Sequence, residues 1–214
     1  MIDPARRTRA LQVLTIAAGA LPAALLAVSA LTDDLGANPV ERVTHVTGDW
    51  ALRFLLSSLA VTPLRRLAGW SWLAPLRRTL GLTAFGYACG HFLTFLGLEH
   101  FFDWQLILED VVKRRYVTAG FAAFLCLVPL AATSTRAMIR RLGGRWIPLH
   151  RLVYLAAVLA VIHFLWLVKS DLREPSVYAA VLALLLGLRL WFRLAASQTR
   201  KPARNEPESQ LSQV

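Results

Sequence analysis

The chain has 214 residues, 56% of them hydrophobic, with a mean hydropathy of +0.49, a formal net charge of +11 and a pI near 11.0. That composition excludes an ordinary soluble domain, and the length excludes a large multi-domain assembly, which leaves one polytopic membrane domain. The positive charge does not point to nucleic acid, because Lys and Arg gather at the ends of apolar runs instead of forming one basic face.

Six apolar runs follow one another, at about 10–31, 48–64, 80–100, 116–135, 147–168 and 176–195. Period-2 alternation is absent, so the expected fold class is an all-α membrane protein, a six-transmembrane-helix bundle over residues 1–195. Arg6-Arg7-Thr8-Arg9 before the first run and Val28-Ser29-Ala30 within it imitate an export signal. The run is longer than a signal's apolar core, however, and reads as an uncleaved spanning helix. Asn38-Pro39 predicts the entry to a short interfacial helix carrying His45. The second run closes at Thr62-Pro63, after which Trp70 and Trp72 sit at headgroup level.

The third run holds Gly81, Gly86, Gly90 and Gly97, small residues that admit a neighbouring backbone or a flat cofactor. Residues 101–115 mix acids and bases and are expected to dock something or lie on the membrane surface. Residues 196–214 are polar, include Pro202 and Pro207, and are expected to form a disordered tail. No internal repeat is evident. Cys89 and Cys126 lie inside apolar runs with no C-x-x-C-H motif, so both are expected to be packing residues.

The loops orient the chain. Arg6, Arg7, Arg9, Arg65, Arg66, Arg77, Arg78, Arg136, Arg140, Arg141, Arg145, Arg200, Lys201 and Arg204 fall on one side, 14 in all. Arg42, Lys113, Arg114, Arg115, Lys169 and Arg173, 6 in all, fall on the other. The excess predicts that both termini are cytoplasmic.

An ionisable side chain inside a membrane helix is costly, so histidines within the runs are the candidate functional residues. His45 and His100 lie at outer ends, where a histidine needs no special reason. At 1.5 Å per residue from the inner edge, His150 lies about 5 Å deep, His91 about 18 Å and His163 about 24 Å. Neutral imidazole is a common axial ligand of haem iron, and a b-type haem between two helices needs one histidine from each at similar depth. His91 and His163 meet that condition best. No carboxylate lies in the body of either run, which disfavours a di-iron site or a simple proton relay, and zinc lacks its clustered ligands. His150 then stands alone near the inner face. With Arg77, Arg78 and Arg151 it defines a candidate inner site suited to a haem propionate, a flavin phosphate or a quinone carbonyl. His150 and His163 do not share one face of a straight helix, so either the helix bends or they serve different pockets.

Several segments carry a resemblance: Leu35-Gly36-Ala37-Asn38-Pro39-Val40-Glu41, Arg77-Arg78-Thr79-Leu80-Gly81-Leu82, Tyr87 to His91, Ala132-Thr133-Ser134-Thr135, and Trp146 through His150 to His163. Together they resemble the MsrQ (YedZ) family, the haem-binding membrane subunit of the MsrPQ protein-methionine-sulfoxide reductase system, a small relative of the ferric reductase-like transmembrane domain. The resemblance implies a multi-pass bacterial inner-membrane protein that binds heme b and FMN. It also implies a quinol as electron donor and, as acceptor, the periplasmic molybdopterin subunit MsrP, which repairs methionine sulfoxide in oxidised proteins. The chain would be an electron-transfer subunit and not the catalytic one. The family's iron ligands fall on His91, His150 and His163. Where relatives show a proline before the tyrosine, this chain has Lys113-Arg114-Arg115-Tyr116, which touches only the shape of the outer loop. One rival, a stand-alone ferric or oxygen reductase, needs a nucleotide domain that the residues after Ala195 are too few to supply. The other, a non-redox transport or assembly protein, leaves the intramembrane histidines unexplained.

Overall fold

Pro22 has no N–H to donate, and it loosens the backbone ladder of the first helix, α1 (Pro4–Leu31). A side chain from elsewhere fills the gap: the Tyr87 hydroxyl donates to the Gly19 carbonyl at 2.7 Å and accepts from the Ala23 N–H at 3.1 Å. This staple fixes α1 against α3 (Leu76–Leu93). The structure is a computed structural model describing residues 4–168 and 170–198. Lys169 and residues 199–214, most of the expected tail, lie outside the described residues.

Helix α2 (Pro39–Ala68) begins where Asn38 caps it. The Asn38 side chain accepts from the Glu41 N–H at 3.3 Å and donates to the Glu41 carboxylate at 2.8 Å, while Pro39 takes the first turn, where no N–H is needed. The helix runs unbroken past His45, so the expected separate interfacial helix is instead the first turns of α2. It ends at Gly69, whose φ of +70° suits glycine.

After α3 the backbone widens into a π-helical turn, Thr94–Glu99, and the amphipathic helix α4 (Trp104–Lys113) crosses the expected outer loop. Trp104, Leu108 and Val112 form an exposed stripe on α4, while Ile107 packs inward. Helices α5 (Arg115–Ala132), α6 (Arg136–Leu142), α7 (Trp146–Leu149), α8 (Leu152–Leu167) and α9 (Arg173–Gln198) complete the described chain.

Helix α2 packs along α3, α5 packs along α8, and α9 lies against α2 and α8. The core draws Leu52, Leu55, Leu56 and Leu59 from α2, Ala84 from α3, Leu127 and Leu130 from α5, Ala156, Ala157 and Val161 from α8, and Leu182 and Leu185 from α9. Outside it, Leu14, Leu21 and Leu25 of α1 and Leu184 and Leu190 of α9 are more than half exposed. So broad an apolar exterior suits lipid and not water, and no strand occurs among the described residues. The chain is an all-α, multi-pass membrane protein.

Among the described residues, four helical stretches are long and apolar enough to cross a bilayer: Arg6–Leu31, Ser71–Glu99, Arg115–Ala132 and Arg173–Ser197. A fifth is the pair Arg136–Leu149 and Leu152–Leu167, bent by 52° at its break. Helix α2 falls short by composition, because Glu41, Arg42, Asp49, Arg53, Arg65 and Arg66 lie within it. Its buried middle, Leu52 to Pro63, is covered by its neighbours, so its outer surface need not be uniformly apolar.

Candidate functional site

Between α2, α3, α5 and α8 lies a cavity of about 460 Å³, inside the range of about 300–1,000 Å³ common to small-molecule and cofactor sites. Its walls are apolar and aromatic, with Leu52 and Leu55 facing Phe92, Phe121, Phe124 and Phe164. Phe92 and Phe124 stack with ring centres 4.6 Å apart. Its outer rim is polar, carrying Asn38, Glu41, Asp49, Glu99, Arg114 and Tyr116.

His91 from α3 and His163 from α8 enter this cavity from opposite walls. Their ring centres are 6.1 Å apart and their planes 77° apart. The two imidazoles are held in the same way. His91 Nδ1 is 3.0 Å from the Thr44 carbonyl, and His163 Nδ1 is 2.6 Å from the Tyr116 carbonyl. A carbonyl can only accept, so each Nδ1 carries the proton and each Nε2 keeps a lone pair. One turn beyond each carbonyl stands a glycine. A Cβ on Gly48 would come within 3.1 Å of the His91 ring, and one on Gly120 within 2.7 Å of His163 Nδ1. Each imidazole therefore rests in a seat on the neighbouring helix, made of a carbonyl and, four residues on, a residue with no side chain.

The spacing suits a metal. Two nitrogens each about 2.0–2.1 Å from one ion, plus roughly 1 Å from each nitrogen to its ring centre, give a centre-to-centre distance of roughly 6 Å. The residues present therefore fit a flat metal-bearing group that His91 and His163 would hold through Nε2, with the aromatic side chains of the cavity around it. No group of three or more His, Cys, Asp or Glu residues that could hold a bare metal ion occurs among the described residues.

His150 is elsewhere. It sits at the break between α7 and α8, its ring stacked on Trp146 at 3.9 Å and its Nδ1 3.2 Å from the Trp146 carbonyl. It does not line the cavity. Of the two alternatives weighed above, the structure shows the bend, at the break where His150 sits. His150 Nε2 is buried without a hydrogen-bond partner among the described residues.

Of its expected companions, Arg77 is half-buried and near enough to His150 for their charges to interact, and its carbonyl accepts from Ser58 Oγ at 3.1 Å. Arg78 faces α1, beside Gln12, Ile16 and Thr83, and Arg151 is exposed, so neither is drawn into the same pocket. The glycines of the third run serve less than expected. Gly86 has open space where a Cβ would be, Gly81 and Gly90 have only ordinary contacts, and Gly97 alone is closely approached, by the Phe102 ring at 3.2 Å. The close approach of the histidine rings falls to Gly48 and Gly120, which sequence reasoning passed over.

His100 and His45, set aside as end-of-run residues, differ in the structure. His45 is exposed, 3.8 Å from Glu41, whereas His100 is nearly buried and closes a chain of contacts. Its Nε2 is 2.9 Å from Asp110 Oδ2, and Arg114 Nε is 3.0 Å from Asp110 Oδ1. Arg114 Nη1 then donates to the Tyr116 hydroxyl at 3.2 Å.

A helical membrane bundle with two facing, backbone-anchored histidines defines the class. The family model "Ferric reductase like transmembrane component" matches residues 47–161. The chain is 52% identical over 193 residues to the protein-methionine-sulfoxide reductase heme-binding subunit MsrQ of Herminiimonas arsenicoxydans, covering 89% of this chain and 88% of that one. It is 59% identical over 158 residues to the MsrQ of Rhodospirillum rubrum, covering 73% and 76%. With the MsrQ of Xanthomonas campestris pv. campestris it shares 55% over 168 residues, covering 78% and 77%. The chain belongs to the MsrQ family of ferric reductase-like transmembrane proteins. No solved structure matches it.

Proposed function

We propose that this chain is the haem-binding electron-transfer subunit of a protein-methionine-sulfoxide reductase system, with His91 and His163 as the two axial ligands of one b-type haem. The observation that carries this reading is the pair of Nδ1-anchored imidazoles facing each other at 6.1 Å across an apolar cavity. The haem would supply reversible one-electron chemistry. The chain's own part is to hold both lone pairs inward, to keep water from the site with the Phe92–Phe124 wall, and to leave an outer rim open to a partner. Arg114 and Tyr116 on that rim suit the carboxylates of a bound porphyrin.

Electrons would enter from a quinol at the inner side, near His150 and Arg77, and leave to a periplasmic MsrP-type molybdopterin subunit. The same inner side would receive FMN, with Arg77 beside His150 as the phosphate-binding candidate, since Arg78 faces α1 and Arg151 is exposed. Six spans in the bacterial inner membrane with both termini cytoplasmic complete the proposal. Unlike a transport or assembly protein, this reading gives both anchored imidazoles a task.

The test is optical. Purified from haem-supplied cells, the protein is expected to be red and low-spin, with haem extractable by acid acetone because no covalent attachment motif exists. With imidazole planes 77° apart, its electron paramagnetic resonance signal is expected to be strongly anisotropic. A colourless pure protein overturns the reading. Orientation has its own measurement: a reporter active only in the periplasm should be silent after Val214 and active when inserted near Asp103. The opposite pattern would invert the electron path.

A further inference from the structure

The acidic side chains of the described residues are all at one end of the molecule: between residues 33 and 49, between Glu99 and Asp110, and at Asp171 and Glu174. The inner end has many guanidinium groups and, among the described residues, no carboxylate. One of those guanidinium groups is inside the bundle. Arg189 of α9 is 8% exposed, its Nη2 donates to the Leu59 carbonyl of α2, and its guanidinium carbon lies 5.3 Å from the centre of the Tyr154 ring on α8. Its Nη1 is buried with no hydrogen-bond partner among the described residues. Apart from the Tyr154 hydroxyl, which is near enough to interact with the guanidinium, the charged side chains that act on it, Arg77 and Arg193, carry the same charge.

An arginine cannot relieve such a situation by giving up its proton, and its fixed fork of donors leaves a free N–H aimed at whatever lies beside it. A buried cation facing other cations is unfavourable unless an opposite charge completes the site. What meets Nη1 must accept a hydrogen bond, and what offsets Arg189 and Arg77 together must be negative. We infer that Arg189 and Arg77 form a binding site for an anionic phosphate group at the inner end of the bundle, supplied by an inner-leaflet phospholipid headgroup or by a soluble phosphate. The site shares Arg77 with the inner pocket proposed above and rests on that reading for this residue alone. Arg189 itself belongs to no set deduced from the sequence.

Thermal unfolding of the full-length protein in a neutral detergent, followed by tryptophan fluorescence, tests this. One arm titrates inorganic phosphate against chloride at equal ionic strength. A second adds phosphatidylglycerol against a neutral diacylglycerol of the same chains. Saturable stabilisation by phosphate assigns the site to a soluble ligand, and stabilisation by phosphatidylglycerol alone assigns it to a headgroup. Arg189→Gln should weaken the responding titration by about tenfold or more, since a charge-assisted contact from Nη1 is lost, and Arg189→Lys should restore part of it. Arg77→Gln, further from the buried core, gives a second reading should Arg189→Gln fold poorly. No response in either arm, or an equal response in wild type and Arg189→Gln, overturns the inference. The visible spectrum of the same samples reports on His91 and His163, so an absent phosphate site and an absent haem are told apart.

Discussion

His91→Ala and His163→Ala are each expected to abolish the same low-spin haem signal. The two rings face one another over 6.1 Å, each with its Nδ1 committed to a carbonyl, so one lone pair from each side is all the site offers an iron. Removing either leaves a five-coordinate haem or none. His150→Ala should spare most of that signal, because His150 lies outside the cavity, and should instead slow reduction by quinol, with Arg77→Gln giving a related defect. Spectra and quinol-reduction kinetics of the four single variants decide it. The pairing fails if His150→Ala removes the signal that His91→Ala removes while His163→Ala leaves it intact.

Gly120→Ala is expected to be nearly as damaging to haem retention although it adds one methyl group and replaces no ligand. Its Cβ would come 2.7 Å from His163 Nδ1 and 3.0 Å from Cε1, and the ring cannot swing away without giving up its bond to Tyr116. Overpacking of this kind costs about 1–3 kcal/mol, which corresponds to haem held on the order of ten- to a hundredfold more weakly. Gly48→Ala, at 3.1 Å from His91, should show the same sign with a smaller size. The control is Gly86→Ala on α3, where a Cβ meets nothing within 4 Å and the helix should gain about 1 kcal/mol from losing a glycine. Haem content after dialysis and the Tm of each variant separate the cases. Unchanged haem content in Gly120→Ala would show that the seat is not what positions His163.

Depth along a helix is written in the chain, and that is why His91 and His163 pair on residue counting alone: a fixed rise per residue needs no knowledge of neighbours. Rotation and partnership are not written there. Nothing in Tyr116-Val117-Thr118-Ala119-Gly120 says that its carbonyl and its glycine face a histidine 43 residues further on, because that depends on how α5 packs against α8. The same missing information left the glycines of the third run unsorted: Gly86 faces open space and Gly97 meets Phe102, while Gly48 on α2 carries the close approach to His91. Charge counting grouped Arg77, Arg78 and Arg151 as neighbours in sequence or depth, but one faces His150, one faces α1 and one is exposed. Arg189 was hidden by its setting, since a lone arginine near the end of an apolar run looks like a topology signal until the bundle closes over it.

The contacts from His100 through Asp110 and Arg114 to Tyr116 end one carbonyl short of His163. Helix α4, the part of the outer surface with an exposed Trp104–Leu108–Val112 stripe, is thus tied to a cavity histidine by a short train of stiff links, with no flexible loop between them. A load placed on α4 from outside would be passed along these contacts towards the ring of His163, and on the proposed haem reading the tilt of that ring would alter how the histidine holds the iron. On that reading the outer face and the buried centre would shift together, and a change in the colour of the bound haem would gauge what rests on the surface.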